Sequence, residues 1–274
     1  MTKESQSSTL NLWTIGSIAI VVYCLTNILH EGLGHGGACI LVGGRPETLN
    51  AIFFSYHESN VSLAAQRFIS AGGSIVDLLA AGIALALFHY RQPRTDSFQY
   101  FLWLFAAVNL LMAFGYFFFS GITGVGDWAK VFEGLAPTII VRLGLTVVGA
   151  ALYFIVAPKL LMPRFRGFLN KDLSQELQIR RLVRLPYLIG GVTFVVAGLL
   201  NPYSLKLVLI SAIAASFGGT SLLAWHPMCH SQHDLSSVNI HGRGVVIKKS
   251  IGWIFAGAVT LIIFVGILGR GINF

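Results

Sequence analysis

Residues 12–42 read LWTIGSIAIVVYCLTNILHEGLGHGGACILV. The stretch holds no proline and no turn cluster, and it is longer than the ~20 apolar residues that a helix needs to cross a bilayer. It reads as a membrane-spanning helix with His30, Glu31 and His35 set into its second half. The preceding MTKESQSSTLN is polar, and the apolar run exceeds the core of a signal peptide. The expectation is a retained first span. Ionisable groups inside a membrane are costly, so three within six residues mark a functional site.

The rest of the chain has the same character. Of 274 residues, 55% are hydrophobic and only 11% charged, against about 25% charged in soluble domains; the mean hydropathy is +0.73. Much of the surface must therefore face lipid. The net charge of +8 sits between apolar runs, where it sets orientation in the membrane; nucleic acid is excluded as a partner, and membrane lipid is expected as one. Cys24, Cys39 and Cys229 are too few and too apolar in setting for a secreted disulfide framework.

Seven apolar stretches follow one another: residues 12–42, 64–90, 98–120, 135–157, 185–200, 207–225 and 251–268. The fold class expected is an all-α polytopic membrane protein of six to seven spans forming one domain over 1–274. The fifth stretch is short and ends at Asn201-Pro202, so the fifth and sixth suggest a tight hairpin. Residues 158–184 carry Lys159, Arg164, Arg166, Lys171, Arg180, Arg181 and Arg184. They read as a basic cytoplasmic linker whose DLSQELQIRRLVRL segment has the spacing of a surface helix. With that linker inside, Lys3, Arg91, Arg94, Arg243, Lys248 and Lys249 fall inside too, the N-terminus is cytoplasmic, and the ends of the first and third spans fall outside. A prokaryotic cell membrane is the expected location. Between the first two spans, GGRPETLNAIFFSYHESNVSL (43–63) has glycines and a proline ahead of β-favouring residues, which suggests a short re-entrant β-hairpin.

His30 and His35 are five residues apart. The usual zinc-helix pattern, His-Glu-x-x-His, has a spacing of four and puts both rings on one face, with the glutamate as general base. At about 100° per residue, a spacing of five turns the rings about 140° apart. A π-bulge adds a residue to one turn and restores the common face; Gly32 and Gly34 make that distortion cheap. The alternative is a regular helix in which Glu31 and His35 face together.

HEGLGH followed by small residues resembles the HELGH helix of the site-2 protease (M50) family of intramembrane zinc metalloproteases. The expanded spacing is similar to the zinc motif of the dipeptidyl peptidase III family. SAGGSIVDLLAAG (70–82) resembles the Gly-Pro-x-x-Asn element of site-2 proteases, with Ser74 for the proline and Asp77 for the asparagine. AAVNLLMAFGYFFFSGITGVGDW (106–128) stands where that family places an Asn-Pro-x-Asp-Gly segment, without its proline and with Trp128 where glycine follows the aspartate. The resemblance implies a Zn2+ cofactor held by His30, His35 and Asp127, catalysis by Glu31, and a membrane-protein substrate. Asp77 and Asn109 are the candidates for orienting a histidine or for replacing Asp127. The topology agrees, since Asp127 follows the third span on the side where the first span ends.

A second histidine cluster, WHPMCHSQHD, holds His226, His230 and His233 with Cys229 and Asp234. Its spacing is similar to the C-terminal histidine pair of the alkaline ceramidase and adiponectin-receptor group, seven-span zinc amidases. The charge rule puts it on the opposite side from His30, and Pro227 interrupts any helix aligning His226 with His230. A lipid amidase and a non-catalytic metal-binding or transport protein are the alternative functions. His57, Glu58 and Arg67 lie on the side of the first site and are candidates for shaping substrate entry.

Overall fold

The structure, a computed structural model, describes residues 10–91, 96–135, 137–170, 173–201, 208–225 and 244–274. Six helices in it are long and apolar enough to cross a membrane: α1 (Leu12–Leu41), α2 (Leu63–Tyr90), α3 (Ser97–Thr123), α5 (Thr138–Arg166), α6 (Gln175–Leu199) and α9 (Ile251–Leu268). Short helices α4 (Asp127–Val131), α7 (Val208–Gly218) and α8 (Leu222–Trp225) lie between them. The protein is an all-α polytopic membrane protein with one small sheet.

Side chains that satisfy orphan backbone groups set the helix starts. Asn11 accepts from Thr14 N at 3.0 Å, Asp96 from Gln99 N at 2.8 Å, and Ser62 and Ser250 cap α2 and α9 in the same way. Gly124 ends α3 in the left-handed region, at φ +72°. Most of α3 between Gln99 and Gly115 is buried, so it is the central helix, flanked by α2 and α5. Few residues of α5 and α9 are buried. Apolar side chains such as Ile139, Leu143, Phe255 and Ile262 stand exposed on them, as lipid-facing residues do.

Contacts at the two ends separate the charges. At one end Asn11 N donates to Ile247 O and Val245 N to Phe168 O, both at 2.8 Å. Arg164, Arg166, Arg180, Arg181, Arg184, Lys248 and Lys249 belong to the segments gathered there. At the other end Ala51 N donates to Leu268 O at 2.8 Å, beside the hairpin. That hairpin is the expected one: β1 (Pro46–Leu49) pairs antiparallel with β2 (Phe54–Tyr56). A third strand, β3 (Ile272–Asn273), pairs with the other edge of β1.

Three expectations change. The sixth apolar stretch is not one long helix: α7 stops at Gly218, a turn covers Gly219–Ser221, and α8 follows. Its backbone is repaired by tyrosines, since Tyr153 OH donates to Gly219 O at 2.9 Å and Tyr187 OH to Phe217 O at 3.2 Å. The fifth span is not short, because α6 begins at Gln175 and runs through the presumed surface helix. For the same reason residues 158–184 are less a linker than two helix ends around a corner, with α5 reaching Arg166.

The tightest helix contact joins α1 to α2. A Cβ on Gly72 would lie 2.3 Å from Gly34 O, and one on Gly34 would lie 2.6 Å from Gly73 Cα. Only glycine allows backbones this close. By contrast a Cβ on Gly82, further along α2, would meet nothing within 4 Å. Gly72→Ala is therefore expected to destabilise by about 1–3 kcal/mol through overpacking, while Gly82→Ala is expected to be neutral or to stabilise by roughly 0.5–1 kcal/mol. Thermal unfolding of both variants in detergent checks the contrast.

Candidate metal centre

The turn of α1 that carries the motif is π-helical over Ile28–Gly36, and Gly37 N bonds back five residues to Gly32 O. This is the bulge that the five-residue spacing requires. Hydrogen bonds of i→i+5 type bring residues five apart onto one face. His30 and His35 accordingly meet, with their Nε2 atoms 3.2 Å apart and their rings nearly perpendicular at 82°. The regular-helix alternative is set aside. Wider turns also occur in α5, α6, α7 and α9, so the bulge alone does not mark the site; what it brings together does.

α2 fixes the orientation of both rings. His35 Nδ1 lies 2.7 Å from Ile69 O, and His30 Nδ1 lies 2.8 Å from Asp77 Oδ2. A carbonyl oxygen only accepts, so His35 Nδ1 carries the proton and its Nε2 presents a lone pair. The Asp77 carboxylate does the same for His30. Asp77 is fully buried near the middle of α2, and its Oδ1 has no hydrogen-bond partner. It therefore orients a histidine rather than joining the ligand group. Gly73 is required beside it, since a Cβ there would lie 2.5 Å from the His30 ring.

Asp127 comes from the other direction. The chain leaves α3 through Gly124 and Gly126, both at positive φ (+72° and +94°), and starts α4 with Asp127. Trp128 pins that start: its Nε1 donates to Ser74 Oγ at 3.1 Å, and its ring stacks on Phe117 at 4.0 Å. Asp127 Oδ2 then lies 3.3 Å from His30 Nε2 and 3.5 Å from His35 Nε2, and accepts no hydrogen bond.

His30, His35 and Asp127 thus offer three ligand atoms within 4.8 Å of one another. With both rings in the Nδ1–H form, two imidazole lone pairs and a carboxylate oxygen converge, an arrangement that repels itself unless a proton or a metal cation sits there. Two histidines and one carboxylate also form the three-ligand set of catalytic zinc sites. The residues present fit the ion. Glu31 is buried and lines, with His35 and Asp127, a largely apolar cavity of about 550 Å3 that extends between α3, α5 and α7 to Gly219.

The other candidates fall elsewhere. Asn109 is not at the centre; its Nδ2 donates to Thr26 Oγ1 and to Phe105 O, both at 2.8 Å, which ties α3 to α1. Glu58 forms an ion pair with Lys130, a residue of the cavity wall, and Arg67 donates to Glu133 O at 2.7 Å. The first contact holds α4 against the first loop, and the second ties the turn after α4 to α2. No shaping contact is assigned to His57. His226, Cys229, His230, His233 and Asp234 lie outside the described residues, while Cys24 and Cys39 are free, buried thiols. Tyr116, stacked on His30, and the Trp128–Ser74 pair carry no sequence signal of their own, because their roles depend on contacts between distant segments.

If Asp77 orients His30, then Asp77→Asn should weaken zinc binding about 10–100-fold and leave the helical content unchanged. Competition titration against a zinc chelator, alongside circular dichroism, reads both; unchanged affinity rules the role out. Comparison with family models, with curated proteins and with solved structures finds no match.

Proposed function

We propose that this chain is a zinc-dependent metalloprotease that hydrolyses peptide bonds of membrane-associated substrates. The observation that carries the reading is the convergence of His30, His35 and Asp127, with Glu31 beside them, on the wall of an apolar cavity within the helical bundle. His30, His35 and Asp127 would hold the metal. A bound zinc polarises the scissile carbonyl and makes water a stronger acid.

The chain's own part is proton handling and orientation. Glu31 takes a proton from the attacking water and returns it to the leaving amine, as the glutamate beside a zinc helix does. Asp77 and Ile69 O keep both histidines in the Nδ1–H form. The cavity wall of Phe53, Phe54, Phe118 and Phe119 is apolar and suits an apolar substrate segment. A peptide is favoured over a lipid by β2, an edge strand at that wall: Phe54 and Tyr56 line the cavity, and β2 pairs only with β1 among the described residues. Edge strands recognise extended peptides through their backbone groups. The ceramidase-type reading would instead need His226 and His230; here α1 and α4 supply three ligands without them. The gathering of basic residues at the end opposite the triad supports a cytoplasmic N-terminus, with the site toward the outer face.

The test uses purified protein, a synthetic single-span peptide and metal analysis. Wild type is expected to hold one zinc per chain and to cleave the peptide. Glu31→Gln should keep the zinc and lose at least about 100-fold in kcat, whereas His35→Ala should lose both. Stoichiometric zinc in His35→Ala, or full cleavage by Glu31→Gln, would overturn the assignment.

A further inference from the structure

Tyr116 is the one aromatic residue of α3 that packs on a ligand ring. Its ring stacks on His30 with centroids 4.9 Å apart and planes 18° from parallel. The side chain lines the same cavity as Glu31, His35 and Asp127. It therefore stands on the cavity wall beside the ligand group rather than toward lipid. Among the described residues it has no hydrogen-bond partner. Three buried tyrosines elsewhere in the bundle have one: Tyr23 pairs with Thr220, Tyr100 donates to Leu182 O and Tyr153 donates to Gly219 O, whereas Tyr56, on the same cavity wall, also has none. Tyr116 is only partly buried, so its hydroxyl is free to take an acceptor that enters the cavity.

The charges present at the site do not supply that acceptor, but the reaction does. When water adds to a peptide carbonyl, the C–O bond forms, the carbonyl electron pair moves onto oxygen, and the proton released goes to Glu31. The developing oxyanion then needs a further donor, because Asp127 only accepts and the proton that Glu31 has taken goes on to the amine. We propose that Tyr116 is a further catalytic residue: its hydroxyl, held beside the ligand pair by stacking on His30, donates a hydrogen bond to the oxyanion of the tetrahedral intermediate. It keeps its own proton throughout, and the bond lapses when the C–N bond breaks and Glu31 passes its proton to the amine. This rests on the peptidase reading above.

Tyr116→Phe isolates the hydroxyl, because the phenyl ring preserves the stack on His30. Three quantities are read on detergent-purified protein: zinc content, kcat and KM for the single-span peptide, and affinity for a phosphinic peptide whose tetrahedral anion mimics the intermediate. The expected result is wild-type zinc, KM within about twofold, and kcat and phosphinate affinity both reduced about 100-fold, the size of one lost oxyanion donor. Wild-type kcat and phosphinate affinity in Tyr116→Phe would remove the hydroxyl from the chemistry. Loss of zinc would make it a metal ligand instead, and would overturn the proposal equally. If wild-type protein with full zinc neither cleaves the peptide nor binds the phosphinate, the peptidase reading itself fails and the role of Tyr116 falls with it.

Discussion

Gly34 of α1 rests directly on Gly72 and Gly73 of α2, and the site is built outward from that backbone contact. The contact sets the two helices close enough for a main-chain carbonyl of α2, that of Ile69, to reach His35, and for Asp77 to reach His30 two turns further along. A side chain at either glycine would push the helices apart by more than a hydrogen bond tolerates. Both histidines would then lose the partner that fixes their tautomer, and their Nε2 atoms would no longer converge. The same proximity leaves room for the π-helical turn, which widens α1 where α2 has no side chains to obstruct it.

Burying this many polar groups in an apolar bundle is costly, and the arrangement shows how the cost is limited. Each histidine has one nitrogen satisfied by α2. Asp127 is only partly buried and enters from a surface helix, so its desolvation is incomplete. Trp128 supplies the rigidity that a short helix lacks, through one hydrogen bond and one stack. What remains uncompensated is the inward-facing set of lone pairs, and that residue of unsatisfied charge is what a divalent cation would neutralise.

Much of the helical layout is written in the hydropathy of the sequence, because lipid exposure demands long apolar runs. The π-bulge was legible too: two histidines five apart, with glycine between them, have only one economical way to share a face. Asp127 carries no motif of its own in the sequence; only the resemblance and the side of the membrane on which the third span ends single it out. Other parts were not legible. The split of 207–225 into α7 and α8 depends on Tyr153 and Tyr187, which satisfy the broken backbone from other helices. The reach of α6 back to Gln175 was hidden because arginines in its first turns read as loop. The place of Asn109 is not legible either, because its partner, Thr26, carries no sign of that pairing.

The third strand of the small sheet has a consequence for the order of assembly. β1 and β2 emerge early, directly after the first span, but β3 follows the last helix. A two-stranded ribbon by itself is marginally stable. At synthesis rates of ~5–20 residues per second, roughly 10–40 s separate the appearance of β2 from that of β3. During that interval the histidines are already in the bilayer while the strand that lines their cavity is still unsupported. The sheet beside the site is therefore among the last parts to become rigid, and a nascent chain carries the ligands without the finished wall that would position a substrate.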